Sequence, residues 1–189
     1  IAIVGVPVIA GNILLNCAAV IQKGDLLALI PKTFLPNYSE FYEKRWFASS
    51  QDLNPIDILY AGSSIHITNQ PTIFRTYTGA TFGIELCEDV WAPEPPSTRL
   101  CLSGADIIFN LSASDELIGK HNYLCSLLSQ QSARTMSGYV YSSSGFGEST
   151  QDLVYGGNAL IYENGNEVAS SERFSFESQM LVAQIDYEM

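Results

Sequence analysis

The chain opens on an almost unbroken apolar run, IAIVGVPVIAGNILLNCAAVIQ, in which the only polar residues before Gln22 are Asn12 and Asn16. Turn signals at Gly11-Asn12 and at Lys23-Gly24-Asp25 cut this opening into three strands, predicted over 1–10, 13–22 and 26–30. Strands this apolar are expected to be covered on both faces. Pro31 and Pro36 then bracket a stretch that cannot be a regular central strand, read as a loop entering a short helix near Ser39, with Ser39 as its cap. Residues 48–64 look irregular, with short strands following at 65–67 and 73–77.

The middle of the chain alternates strand and helix. Residues 80–86 read as a buried strand ending at Cys87, Ser97 caps a short helix that Gly104 ends, and 106–111 returns as an apolar strand. Residues 117–136 carry the strongest helical periodicity, through Leu117, His121, Leu124, Leu127, Leu128 and Gln131, with Gly138 closing the helix. Strands resume at 139–143, 158–162, 167–170 and 180–185, the middle pair joined by the hairpin signal Asn164-Gly165. Strands at both ends with helices between them predict an α/β layered fold.

Composition narrows the function classes. The 189 residues form one expected domain, and only 15% are charged, against roughly 25% in ordinary globular domains. The formal charge of −11 disfavours nucleic acid and anionic membranes, because affinity for either comes from Lys and Arg. The opening apolar run approaches the length of a membrane span, but Gly11, Asn12 and Asn16 interrupt it and no basic residue precedes it. Cys17, Cys87, Cys101 and Cys125 form neither CxxC pairs nor a dense framework, and His66 and His121 lie far apart. No metal site is expected, and a reducing cytoplasm fits best.

Two places could carry chemistry. FGIELCEDVW puts Cys87 directly after a buried strand, where α/β scaffolds present reactive groups and where turn N–H groups can face an oxyanion. The alternative is that Cys87 is simply a buried free cysteine. In IPKTFLP, Lys32 either points inward and needs an acidic partner or reaches solvent from a strand end. Glu43 is the available partner, although Lys44 and Arg45 beside it would equally suit an exposed ion pair.

Four blocks in order, ILLNCAAVIQKGDLLALIPKTFLPNYSEFYEKRWF, FGIELCEDVW, GADIIFNLSAS and YGGNALIYENG, resemble the nitrilase or carbon–nitrogen hydrolase superfamily over nearly the whole chain. Within it, the likeness is to the glutaminase domains of glutamine-dependent NAD synthetases. The resemblance implies an α-β-β-α sandwich and a Glu-Lys-Cys triad. Cys87 would attack the side-chain amide of glutamine to form a thioester and release ammonia. Lys32 and the backbone N–H of Glu88 would stabilise the oxyanion, and Glu43 would be the auxiliary glutamate that orients Lys32 and the substrate. Tyr38, Trp91 and Ser114 fall where the family shapes its glutamine pocket, with Lys120 near the substrate carboxylate.

The sequence departs from that pattern at the general base. The family's triad glutamate stands in a PEL-type motif ahead of the lysine block, whereas Asp25 is the only acid before Lys32 here. A domain lacking its first strands and helices, inactive by itself, is therefore expected. No glycine-rich phosphate loop follows Tyr155, so ATP and Mg are expected only in an absent synthetase domain, on the same chain or a partner, and no cofactor in this one. Homo-oligomerisation is also expected. The alternatives are a stand-alone amidase of the superfamily and a non-catalytic nitrilase-like domain.

Overall fold

The computed structural model describes residues 1–187, which fall into two compact units, 1–72 and 73–187. Among the described residues no helix is long and apolar enough to cross a membrane.

The first unit is built on an antiparallel meander of β1 (Ala2–Ala10), β2 (Ile13–Gln22) and β3 (Asp25–Pro31). Its central strand is buried on both faces, since Cys17, Ala18, Ala19 and Val20 are consecutive and all inaccessible. Burial on both faces does not extend to β1, which pairs on one side only and leaves Val4 and Ile9 exposed. The stretch read as irregular contains most of a hairpin, β4 (Ile56–Tyr60) with β5 (Ser63–Ile67). Its turn is Ala61-Gly62, with φ of 49° and 82°. Both values are left-handed, and an alanine is a weak sequence signal for such a turn. Ile65 and Ile67 join Val8, Leu15, Cys17 and Leu29 in one core.

Ser39 caps no helix. It sits in a left-handed bend at φ 50°, and the helical turn that follows is a 3-10 turn over Glu43–Arg45 with no side-chain cap.

The second unit is a six-stranded mixed sheet. Its elements are β6 (Phe74–Arg75), β7 (Thr81–Leu86), α1 (Pro96–Leu102), β8 (Ile107–Ser112), α2 (Lys120–Thr135), β9 (Gly138–Ser143), β10 (Ala159–Glu163) and β11 (Asn166–Ser170). The spatial order is β11-β10-β9-β8-β7-β6, with β7, β8 and β9 parallel and the outer strands antiparallel. Parallel strands need crossovers, and α1 and α2 supply them. Leu100, Leu124 and Leu128 pack with Ile108, Tyr139, Tyr141, Leu160 and Tyr162, so both helices share one face of the sheet. Gly83 permits this approach: a Cβ there would lie 2.9 Å from the Leu100 side chain.

Several boundaries differ from expectation. Pro95 and Pro96 start α1, and Ser97 lies inside its first turn rather than capping it. Gly104 does end the helix: its N–H donates to Cys101 O and the Ala105 N–H to Leu100 O, a Schellman closure with Gly104 at φ 100°. Helix α2 begins at Lys120 because Gly119 is left-handed, which leaves Leu117 outside it and exposed. Met136 makes the left-handed exit, and Gly138 is already strand. Residues 180–185 form no strand; Ile185 instead lies against Gly138.

Candidate active site

Strand β7 is buried along its whole length, and the chain turns sharply as it ends. Cys87 takes φ 46°, a left-handed conformation that a non-glycine residue adopts only under restraint. The restraint is visible on both sides. The buried Asp89 carboxylate accepts the Leu86 N–H at 2.9 Å, and the Asn110 Oδ1 of β8 accepts the Cys87 N–H at 3.1 Å. Cys87, Glu88 and Trp91 lie on the same 3-10 turn, and the thiol-bearing residue stays partly accessible while its flanking strand does not.

Around this turn the second unit gathers polar and aromatic groups. Ser114 follows β8 and is buried; its N–H donates to Ser143 Oγ at the end of β9. The next residue, Asp115, is 4% exposed and pairs with Lys120 Nζ at 2.5 Å. Lys120 also sits 5.6 Å from the centre of the Trp91 ring, which stacks on Tyr123. Tyr141 lies near the thiol with its hydroxyl buried beside Ser112, Ser114 and Ser143; burial, then the negative charge of Cys87, pushes its titration up. Tyr155 titrates upward too, from burial and then from the charges of Asp115, Cys87 and Glu148.

The first unit holds the other predicted group. Lys32 is 3% exposed and its Nζ lies 2.5 Å from a Glu43 carboxylate oxygen. The inward alternative for Lys32 is the one observed. Its backbone is pinned by donation to Asn16 O and by accepting the Ser50 N–H. The Asn16 side chain donates to the second Glu43 oxygen at 2.7 Å, so this carboxylate is oriented at both ends. Lys44 and Arg45 turn outward, and Glu43 alone of its 3-10 turn reaches the buried lysine. Tyr38, in the same unit, is exposed and packs edge-on against Phe41.

The structure thus brings Lys32 to Glu43, and Cys87, Glu88 and Trp91 onto one turn, with Lys120 against Trp91. Sequence reading missed Asn16, Asn110 and Asp115. Asn16 and Asn110 carried a usable signal: each is the lone polar residue within an apolar strand core, and a buried amide must find partners. Burial pushes the Cys17 thiol up to about 12 and raises Cys101 as well. Among the described residues no group of three His, Cys, Asp or Glu side chains is placed to hold a metal ion.

A partly accessible cysteine, held under backbone restraint at the carboxyl end of a parallel strand, suits an α/β scaffold to nucleophilic thiol chemistry. The chain belongs to the carbon–nitrogen hydrolase family, whose model matches residues 1–189. It is 37% identical over 188 residues to the glutamine-dependent NAD(+) synthetase of Mycobacterium tuberculosis, covering 99% of this chain and 28% of that protein. The human glutamine-dependent NAD(+) synthetase is 29% identical over 192 residues, or 98% of this chain and 27% of the relative. Among solved structures, a glutamine-dependent NAD(+) synthetase from Cytophaga hutchinsonii superposes with a TM-score of 0.80 at 26% identity, covering 93% of this chain and 28% of that one. A carbon–nitrogen hydrolase from Helicobacter pylori superposes with a TM-score of 0.70 at 20% identity, covering 95% and 59%. The fold is that of the nitrilase superfamily, the α-β-β-α class expected. The chain spans little more than a quarter of the length of the synthetases it matches.

Proposed function

We propose that this chain is the glutaminase part of a glutamine-dependent NAD synthetase. Cys87 attacks the side-chain amide carbon of glutamine, and the tetrahedral intermediate collapses to a thioester as the C–N bond breaks and ammonia leaves. Water then cleaves the thioester to glutamate and returns the thiol. The observation that carries this reading is the restrained Cys87 at the end of β7, in a chain 37% identical to a glutamine-dependent NAD(+) synthetase.

Lys32 and the Glu88 N–H are assigned to the oxyanion, with Glu43 orienting the lysine. A fixed donor in a water-poor site stabilises developing charge far more than the same donor does in water. Tyr38, Trp91, Ser114 and Lys120 are assigned to the glutamine pocket. The thiol proton passes through a general base to the departing nitrogen. On the family pattern that base precedes the lysine block, where Asp25, exposed as the first residue of β3, does not suit the role. Ammonia is handed to an ATP- and Mg-dependent synthetase domain outside residues 1–189, in a cytoplasmic homo-oligomer.

In the full-length protein, Cys87→Ala is expected to abolish ammonia release from glutamine while leaving the melting temperature unchanged. Retained glutaminase activity would falsify the assignment of Cys87. Hydrolysis of aliphatic or carbamoyl amides with no response to glutamine would overturn the substrate.

A further inference from the structure

Asn110 is 1% exposed and sits in the centre of β8, between β7 and β9. Its amide is committed at both ends. Oδ1 accepts the Cys87 N–H at 3.1 Å and the Ser112 hydroxyl at 2.7 Å, and Nδ2 donates to the Tyr139 hydroxyl oxygen at 3.2 Å. Because a backbone N–H can meet only an acceptor, the Cys87 contact sets which way the amide faces. Tyr139 gives its single proton to a Glu85 oxygen, leaving its own oxygen to accept from Asn110. The second Glu85 oxygen accepts the Ser97 N–H of α1 at 2.7 Å. A one-way chain of donation therefore runs from the backbone of Cys87 through Asn110 and Tyr139 to Glu85.

A left-handed cysteine persists only where its surroundings over-determine it, since the conformation is disfavoured for any side chain with a Cβ. Asn110 supplies the contact that holds the Cys87 N–H, and the chain behind it keeps the amide from rotating. We propose that Asn110 is a positioning residue for the nucleophile: anchored by Tyr139 and Glu85, its amide oxygen fixes the backbone of Cys87 and so the direction of the thiol. The proposal rests on the reading of Cys87 as nucleophile and adds to it the device that aims the sulfur.

The test uses the full-length protein with Asn110→Ala, Asn110→Asp and Tyr139→Phe. Readouts are kcat and KM for glutamine and the pH profile of Cys87 alkylation by iodoacetamide, followed by peptide mass spectrometry. Misplacing a reacting atom by about 1 Å can lower a rate about 100-fold, so Asn110→Ala is expected to lose about that factor in kcat, with KM little changed. Asn110→Asp keeps the acceptor for Cys87 but places a carboxyl group at the Cys87 N–H and opposite a tyrosine oxygen whose proton is already given to Glu85. It is expected to retain more kcat than Asn110→Ala and to move the alkylation midpoint to higher pH. Tyr139→Phe, which frees the amide to rotate, is expected to lower kcat less than Asn110→Ala, and the double variant to be no worse than Asn110→Ala alone. A kcat for Asn110→Ala within about threefold of the parent, or a KM that rises in step with the loss, would overturn the proposal. So would a kcat for Asn110→Asp no higher than that of Asn110→Ala. Should Asn110→Ala fail to fold, the isosteric Asn110→Asp and Tyr139→Phe decide between the same outcomes. Glutaminase activity surviving in Cys87→Ala would instead strike the functional reading, whatever the alkylation profile of the Asn110 variants.

Discussion

Glu85 is a carboxylate 1% exposed and held by hydroxyl and amide donors rather than by a cation. Loss of water on burial outweighs those donors and raises its pKa from 4.5. A carboxyl group whose folded pKa lies above its unfolded one binds its proton more tightly when folded. The stability this contributes is complete below the unfolded pKa and is lost as pH rises through the folded one. Glu85→Gln removes the titration, so the difference in melting temperature between variant and parent is expected to move in the variant's favour as pH rises above about 4.5. A difference that stays constant across that range would contradict the burial argument. The thiols separate in the same way. Cys17 is inaccessible and pushed up to about 12, so iodoacetamide at pH 8 is expected to label Cys87 in the native protein and to reach Cys17 only after denaturation. Lys32 and Glu43 were legible as a pair of residue types, but whether the lysine pointed inward was not. That depended on Asn16, whose side chain and carbonyl hold the two together from a strand 16 residues upstream of the lysine.

At the scale of elements, the parallel β7-α1-β8 unit was legible because an apolar run, a segment opened by prolines and closed by Gly104, and a second apolar run leave few alternatives. Element ends were less so. The helix over 117–136 starts three residues late because Gly119 takes a left-handed conformation that periodicity does not report. Residues 180–185 have strand-like composition but no strand pairs with them. Pairing is a property of neighbours, and no residue pattern supplies a neighbour. The Gly83 contact makes the element-level expectation concrete. A methyl group there meets Leu100 at 2.9 Å in a strand whose every residue is buried, so Gly83→Ala is expected to lower stability by about 1–3 kcal/mol, read as a fall in the urea midpoint. An unchanged midpoint would mean that α1 can shift away from the sheet without loss.

For the molecule as a whole, sparse charge is the most telling quantity. With 15% charged residues, large apolar side chains including Ile9, Leu117, Ile118, Phe146 and Phe176 stay exposed in the described chain. Exposed apolar area on this scale favours association. Sedimentation of the full-length protein is expected to give a species larger than the monomer, and a clean monomer across the micromolar range would count against it. The low charge did not separate a thick core from a covered surface; burial residue by residue does, placing the cores at β2 in one unit and under α1 and α2 in the other.

The order of apolar and polar residues by itself determined most strand positions, the two helices and the family likeness, because periodicity and turn chemistry act over a few residues at a time. It also determined that Cys87 stands at a strand end, since a buried strand must stop where acidic and turn-forming residues begin. Tertiary structure alone decided that Lys32 is buried on Glu43, that Cys87 is held left-handed, and that Asn110 holds it. The lysine pair and the Asn110 contact join groups 11 and 23 residues apart at hydrogen-bond distance, and such a meeting is set by sheet register and packing rather than by local pattern.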